Sequence, residues 1–206
     1  KSKIMIKIGD GKCIHIPMKR WAVIAAFFAL VACAPAAKVK NGGFETGNWQ
    51  DWQCDGEGWR MSNYGRDSRR GIYGAVNDVW TNASSEFRVL HQEIKAIPGR
   101  TYKASVELRT VCLEGSESFL EIQFLDKHGA VLKQFQTAHV KKDQEFTLMS
   151  INGMVAPEGT DRVSIRGVAV LLTLPVQNMD YHVFDNFDFR PDSGPDLPAQ
   201  QAPKIK

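Results

Sequence analysis

The residues best placed to do chemistry are acids. Glu45 lies in Asn41-Gly42-Gly43-Phe44-Glu45-Thr46-Gly47, and Asp185 lies in Val183-Phe184-Asp185-Asn186-Phe187-Asp188-Phe189 near the other end of the chain. The first segment reads as a short strand leaving a glycine turn. The second alternates, with Val183, Asp185, Phe187 and Phe189 on one face and Phe184, Asn186 and Asp188 on the other. If the two segments pair as neighbouring strands and close one β-domain, Glu45 and Asp185 approach each other. A second group, Glu114, Glu117 and Glu121, is close in sequence, and paired carboxylates on a β-sandwich are glycosidase chemistry. Glu117 and Glu121 share a strand face only if their strand starts early, and no Glu-x-Asp-x-x-Glu motif is present. These acids therefore read as solvated side chains. No nucleophile elbow, phosphate loop or metal-hydrolase motif occurs.

Sulfur and imidazole add little. Of the four cysteines, Cys54 and Cys112 fall in the main domain. They form either a disulfide, which would stabilise by about 4 kcal/mol on the chain-entropy estimate, or two buried thiols. No CxxC or Cys/His spacing suits zinc, and His91, His128, His139 and His182 are scattered.

The elements that must hold these residues are strands. Short β-runs cover Gln50 to Asp55 and Trp59 to Tyr64, split by the Gly56-Glu57-Gly58 turn. A polar loop, Arg66 to Gly71, leads into Ile72 to Val76. Phe87 to Ile97 stops at Pro98-Gly99, and Thr101 to Val111 alternates Tyr102, Ala104, Val106 and Leu108 against Lys103, Ser105, Glu107 and Arg109. Phe119 to Leu125 sets Leu120, Ile122 and Phe124 against Glu121 and Gln123, and Lys127-His128-Gly129 turns it into Val131 to Thr137. Phe146 to Val155, Val163 to Leu174 and Tyr181 to Phe189 complete the set. No segment forms an amphipathic helix of useful length. The pattern predicts an all-β, two-sheet antiparallel sandwich or jelly roll over residues 39–190 and a disordered tail over 191–206.

Residues 1–32 carry six basic side chains and one acid; without them the chain's 26 basic and 23 acidic residues become 20 and 22, a net charge of −2. The domain is near neutral, which argues against a nucleic-acid binder. Met18-Lys19-Arg20 precedes twelve uncharged residues, Trp21 to Ala32. That run is too short to span a bilayer and has the form of a signal peptide over 18–32. Its end, Leu30-Val31-Ala32-Cys33, resembles the lipobox of bacterial lipoproteins. The resemblance implies lipidation at Cys33, a tether over 33–38 and, with Ala34 next, an outer-membrane location. Ordinary signal cleavage near Ala34 or Ala37 is the alternative. Residues 1–17 read as a non-native upstream extension.

Three segments recur in order: Asn41-Gly42-Gly43-Phe44-Glu45 with a tryptophan soon after, Ile97-Pro98-Gly99-Arg100-Thr101-Tyr102 entering a long strand, and Phe184-Asp185-Asn186-Phe187-Asp188-Phe189 closing the domain. This is similar to the galactose-binding-like jelly rolls, and most resembles the carbohydrate-binding modules of families 4, 9 and 22. The resemblance implies a structural calcium between the chain ends, held by Glu45, Asp185 and carbonyls of the loop from Ser68 to Gly71; calcium takes six to eight hard oxygens. The arginines of Arg66 to Arg70 depart from the pattern and could pair with the two acids instead.

The resemblance also implies non-catalytic binding of a glycan or polysaccharide. Sugar recognition needs flat aromatic faces and polar side chains for hydroxyls. Trp52 occupies the position of a core tryptophan. Trp59 and Trp80 are the expected platforms, Tyr64 and Arg66 the expected rim, and Gln92 and Gln123 the expected polar contacts in a cleft on a sheet face. The alternatives are a structural or protein-interaction lipoprotein on the same fold and, more distantly, a glycosidase or lyase.

Overall fold

The structure, a computed structural model, describes residues 3–7, 13–17, 38–79, 87–112, 115–172 and 180–192. Cys33, Trp80, the signal-peptide segment and nearly all of the tail lie outside the described residues. The chain divides into two units, Lys1–Ala36 and Ala37–Lys206. In the first, β1 (Lys3–Lys7) and β2 (Cys13–Pro17) form an antiparallel hairpin with Lys3 opposite Pro17.

The second unit holds β3 (Gln53–Asp55), β4 (Trp59–Ser62), β5 (Gly74–Asp78), β6 (Phe87–Lys95), β7 (Thr101–Val111), β8 (Ser116–Leu125), β9 (Val131–Gln136), β10 (Gln144–Val155), β11 (Arg162–Leu171) and β12 (Tyr181–Pro191). They form two five-stranded sheets, β10-β7-β12-β5-β4 and β3-β6-β11-β8-β9, with antiparallel neighbours throughout. The alternation read from β7 is the packing: Tyr102, Ala104, Val106 and Leu108 enter the core between the sheets, where they join Leu120, Ile122, Phe124, Val163 and Ile165 from the other sheet. This is the predicted all-β sandwich.

The chain ends meet, but not as paired strands. Asn41 to Gly47 is a run of turns, with Phe44 N–H donating to Asn41 O (3.1 Å) and Gly47 N–H to Phe44 O (2.9 Å). The neighbours of β12 are β5 and β7. The opening segment reaches β12 through one backbone bond, Phe187 N–H to Gly42 O at 2.9 Å. Around it Phe44, Trp52 and Phe187 form an aromatic cluster with ring centroids 4.7–6.0 Å apart. Trp52 is core, as expected.

The strict alternation expected in β12 is broken. Asp185 faces Glu107 of β7 and Asp188 faces Ser105, so one extra residue lies on the β12 side. Asn186 takes it up with a φ of +51°, a conformation that asparagine tolerates better than most residues. The bulge turns the strand by one residue. Phe184, Phe187 and Phe189 therefore all face the core, while Asp185 faces outward.

A groove on the open face of one sheet

The outer face of β3-β6-β11-β8-β9 carries the side chains that alternate with the core. Register sets them in rows across the strands. Val89 of β6, Val168 of β11 and Phe119 of β8 form one row, and His91, Arg166, Glu121 and Gln136 of β9 form the next. Glu93, Ser164, Gln123 and Gln134 form a third.

Together these rows shape a groove of about 350 Å³. Its floor is apolar: Val89, Phe119 and Val168 are buried and Phe87, at the edge, is 57% exposed. Its wall is a polar network centred on Glu121, whose carboxylate is almost fully buried. Glu121 Oε2 accepts from Gln134 Nε2 and Gln136 Nε2, both at 2.6 Å, and Oε1 accepts from Gln123 Nε2 at 2.9 Å. Arg166 Nη1 pairs with Oε1 at 3.1 Å. His139, from the stretch after β9, lies flat on Phe119, with centroids 3.9 Å apart and planes within 6°. It also meets Glu117 Oε1 at 2.8 Å, while Lys141 reaches Oε2 at 3.1 Å. Burial works against ionisation at Glu117, but the bonds from His139 and Lys141 outweigh it and hold the acid below its ordinary range. A smaller polar cavity of about 230 Å³ continues on the same sheet, along Asp51, Gln53, His91, Gln92 and Glu93.

Of the described residues expected to bind, Gln123 lines the groove and Gln92 lines the smaller cavity beside it. Trp59 is packing: it stacks obliquely on Phe184 (5.9 Å) and donates through Nε1 to Asp55 O (3.2 Å). Gln92 is a clamp for the opening segment, donating to Lys40 O and Asp51 O and accepting from Lys40 N–H at 2.8–2.9 Å. Tyr64 and Arg66 belong to the loop after β4, which is tied to the opposite sheet; Arg109 of β7 bonds Arg66 O at 3.4 Å. The solvated reading of the acids is corrected as well. β8 begins at Ser116, early enough to put Glu117 and Glu121 on one face, and both are buried and paired. Phe87, Phe119, Gln134, Gln136, Arg166 and His139 were not singled out. The available signal was apolar residues on outward positions of β6 and β8.

Glu45 and Asp185 do come together, on either side of Gly43: a Cβ on that glycine would stand 3.8 Å from Asp185 Oδ1 and 3.9 Å from Glu45 Cγ. Asp185 Oδ2 accepts from the backbone N–H of Arg69 (2.8 Å) and Arg70 (3.1 Å), and Oδ1 from Asn186 N–H (2.7 Å). Glu45 accepts from Ile72 and Tyr73 N–H at 3.0–3.2 Å. Burial raises Asp185 to about 6; the three N–H groups oppose the rise and the Glu45 charge adds to it. The loop thus offers donors, not carbonyl oxygens, to both carboxylates. Ser68 Oγ donates to Arg70 O, and Gly71 packs its backbone on the Glu45 carboxylate. This donor set does not fit a calcium shell of six to eight oxygens. Among the described residues no group of three or more His, Cys, Asp or Glu side chains could hold a metal. The arginines do engage the acids, through their main chain rather than their guanidinium groups.

Cys54 and Cys112 are free thiols. Cys54 lies on β3 at the edge of one sheet, and Cys112 follows β7 of the other, where its Sγ donates to Ser116 O at 3.0 Å. Burial pushes the Cys54 thiol up to about 11. A serine, histidine and aspartate also meet, all fully buried: Ser116 Oγ stands 2.9 Å from His182 Nε2 and 2.9 Å from Asp180 Oδ2. In a hydrolase triad the acid orients the imidazole. Here Asp180 binds the serine, His182 Nδ1 has no hydrogen-bond partner among the described residues, and burial lowers the imidazole to about 4, so it is neutral.

No family model matches the sequence, and no curated protein matches it. Solved structures do. A family 61 carbohydrate-binding module in complex with β-1,4-galactotriose is similar with a TM-score of 0.55 at 19% identity, over 75% of this chain and 97% of that one. The family 22 and GH10 modules of a Clostridium thermocellum endo-1,4-β-D-xylanase, complexed with xylohexaose, are similar with a TM-score of 0.55 at 18% identity, over 79% of this chain and 30% of that one. The enzymatically active domain of tailspike protein 4 of bacteriophage CBA120 is similar with a TM-score of 0.59 at 17% identity, over 75% of this chain and 21% of that one. The chain thus spans nearly the whole of the binding module and less than a third of the two larger chains. At these identities the likeness is one of fold: the antiparallel β-sandwich of carbohydrate-binding modules.

Proposed function

We propose that the domain binds a glycan, without cleaving it, in the groove on the outer face of β3-β6-β11-β8-β9. The observation that carries the reading is the pairing of surfaces there. An apolar floor from Phe87, Val89 and Val168 adjoins a wall of glutamines, which suits a ligand with apolar faces and a hydroxyl rim. Shielding on the order of 100 Å² of apolar surface would contribute roughly 2–3 kcal/mol. The solved relatives include complexes with galactotriose and xylohexaose, which supports a saccharide in this role.

Cleavage is disfavoured by the state of the acids. A glycosidase acid needs a raised pKa, whereas Glu117 is lowered and Glu121 is paired with Arg166. The test is titration of Phe87→Ala against soluble oligosaccharides. Affinity should fall about tenfold while the melting temperature holds, because the ring is mostly exposed. Unchanged affinity in this variant would remove the groove from the reading.

The domain is further proposed to sit on the cell envelope, held by acyl chains on Cys33; the support is the Leu30-Val31-Ala32-Cys33 motif after its apolar run. Cys33→Ser should then shift the protein from the membrane to the soluble fraction. Unchanged fractionation would remove the anchor.

A further inference from the structure

We infer that Glu121 is a positioning residue that makes this groove select neutral, hydroxyl-rich glycans and reject anionic ones. The inference rests on the glycan reading above and deepens it.

An ionised carboxylate can only accept hydrogen bonds. The amide ends that meet Glu121 must therefore be the N–H₂ ends, and the 2.6–2.9 Å contacts of Gln123, Gln134 and Gln136 are three such donors converging on one acid. Pinning the nitrogens fixes which way the oxygens point. The wall of the groove is then built from amide oxygens, and it asks its ligand for donors. Within the wall these oxygens have only long contacts, Gln134 Oε1 with Gln123 Nε2 and Gln136 Oε1 with His139 Nε2, both at 3.4 Å. Each amide oxygen has two lone pairs, so each retains one for a ligand. Sugar hydroxyls can donate to them, whereas an ionised carboxylate or sulfate at the same point cannot.

Charge points the same way. Arg166 is the cation of the groove lining, and Glu121 meets it at 3.1 Å in a nearly buried pair. Following the face toward β3, the charged side chains come in pairs: Glu93 with Arg162 at 3.4 Å, Asp51 with Lys40 at 3.6 Å, and Asp55 beside His91 at 3.2 Å. The row from Gln136 to Gln53 crosses five strands, about 19 Å at the usual strand spacing. That is room for a short oligosaccharide rather than a single sugar. An anionic chain laid across it would meet acceptor oxygens at one end and cations already paired with acids at the other.

The experiment is calorimetric titration of the full chain, at matched ionic strength, with β-1,4-galactotriose, xylohexaose and a trimeric oligogalacturonate. At least one neutral ligand should bind on the order of tenfold or more tighter than the uronate, since like charges brought together cost affinity. Glu121→Gln should reverse or erase that ratio, because it leaves Arg166 uncompensated and frees the three amides to turn over. Gln136→Leu, at an exposed position, should weaken neutral binding severalfold and leave the uronate unchanged. A merely structural role for Glu121 would weaken all ligands alike, and a ratio unchanged in a folded Glu121→Gln protein overturns the proposal. If that variant does not fold, the wild-type ratio and Gln136→Leu decide. Uronate binding as tight as neutral binding refutes the selectivity and leaves the glycan reading standing. If none of the three ligands binds, both fall together.

Discussion

The N–H of Phe187 donates to the carbonyl of Gly42 at 2.9 Å, across a chain separation of most of the domain. At the same point a Cβ on Gly42 would overlap the carbonyl oxygen of Phe187. The two backbones therefore touch on both sides of one peptide. Gly42→Ala must force them apart or turn the opening loop aside. The cost is expected to be roughly 3 kcal/mol, as for an overpacked core, which lowers the melting temperature by about 6–12 °C in a domain of this size. A thermal melt of the variant checks it; a shift under 2 °C would show that the loop yields freely.

Asp185 gives the domain a pH signature. Its folded pKa is raised to about 6, against about 3.9 in the unfolded chain. A group raised on folding favours the folded state below its unfolded value, and that contribution is lost as pH rises through the folded one. Wild type minus Asp185→Asn should therefore lose melting temperature between pH 4 and pH 6 and stay level from pH 7 to pH 8. A difference that is flat across the whole range would mean that the carboxylate is already ionised at pH 4.

Trp59 and Phe87 should separate stability from binding. Trp59 is half-buried on Phe184, so Trp59→Ala should cost about 2 kcal/mol and leave glycan affinity within twofold. The reverse pattern, with affinity lost and stability kept, would return Trp59 to the binding surface.

Calcium should not stabilise the domain. Five backbone N–H groups face the Glu45 and Asp185 carboxylates, and a dication would need them replaced by oxygens. Adding millimolar calcium, or removing it with chelator, is expected to leave the melting temperature within 1 °C. A rise of several degrees that Asp185→Ala abolishes would show that the loop from Ser68 to Gly71 turns its peptides over to bind the ion.

Much of the fold was readable because β-structure writes itself locally. The period-two pattern of Thr101 to Val111 is imposed by one buried and one outward face, and no distant residue is needed to see it. The meeting of the two ends was also visible in their aromatic and glycine content. Its form was not, since Asn41 to Gly47 bends through turns that a glycine-rich segment hides equally well. The bulge at Asn186 escaped for a related reason: one inserted residue leaves the alternation intact on each side. The site was less legible because it is non-local. Gln134 and Phe87 reach the same groove only through the order β6-β11-β8-β9. Trp52 fills the interior as its sequence position implied, whereas Trp59, expected as a platform, is half-buried against Phe184. Glu121 and Gln123 could be assigned to a common face, but what they faced depended on which strands, β9 and β11, lie beside β8.

The insertion at Asn186 separates β12 into two halves with unrelated duties. Before it, Val183 and Asp185 alternate with Phe184, and Asp185 fastens the 69–70 loop; after it, Phe187 and Phe189 anchor the interior. Removing that one residue would rotate one half against the other, exposing two phenylalanines or withdrawing the loop's anchor. The closing strand can therefore drift in composition on either side far more readily than it can change in length.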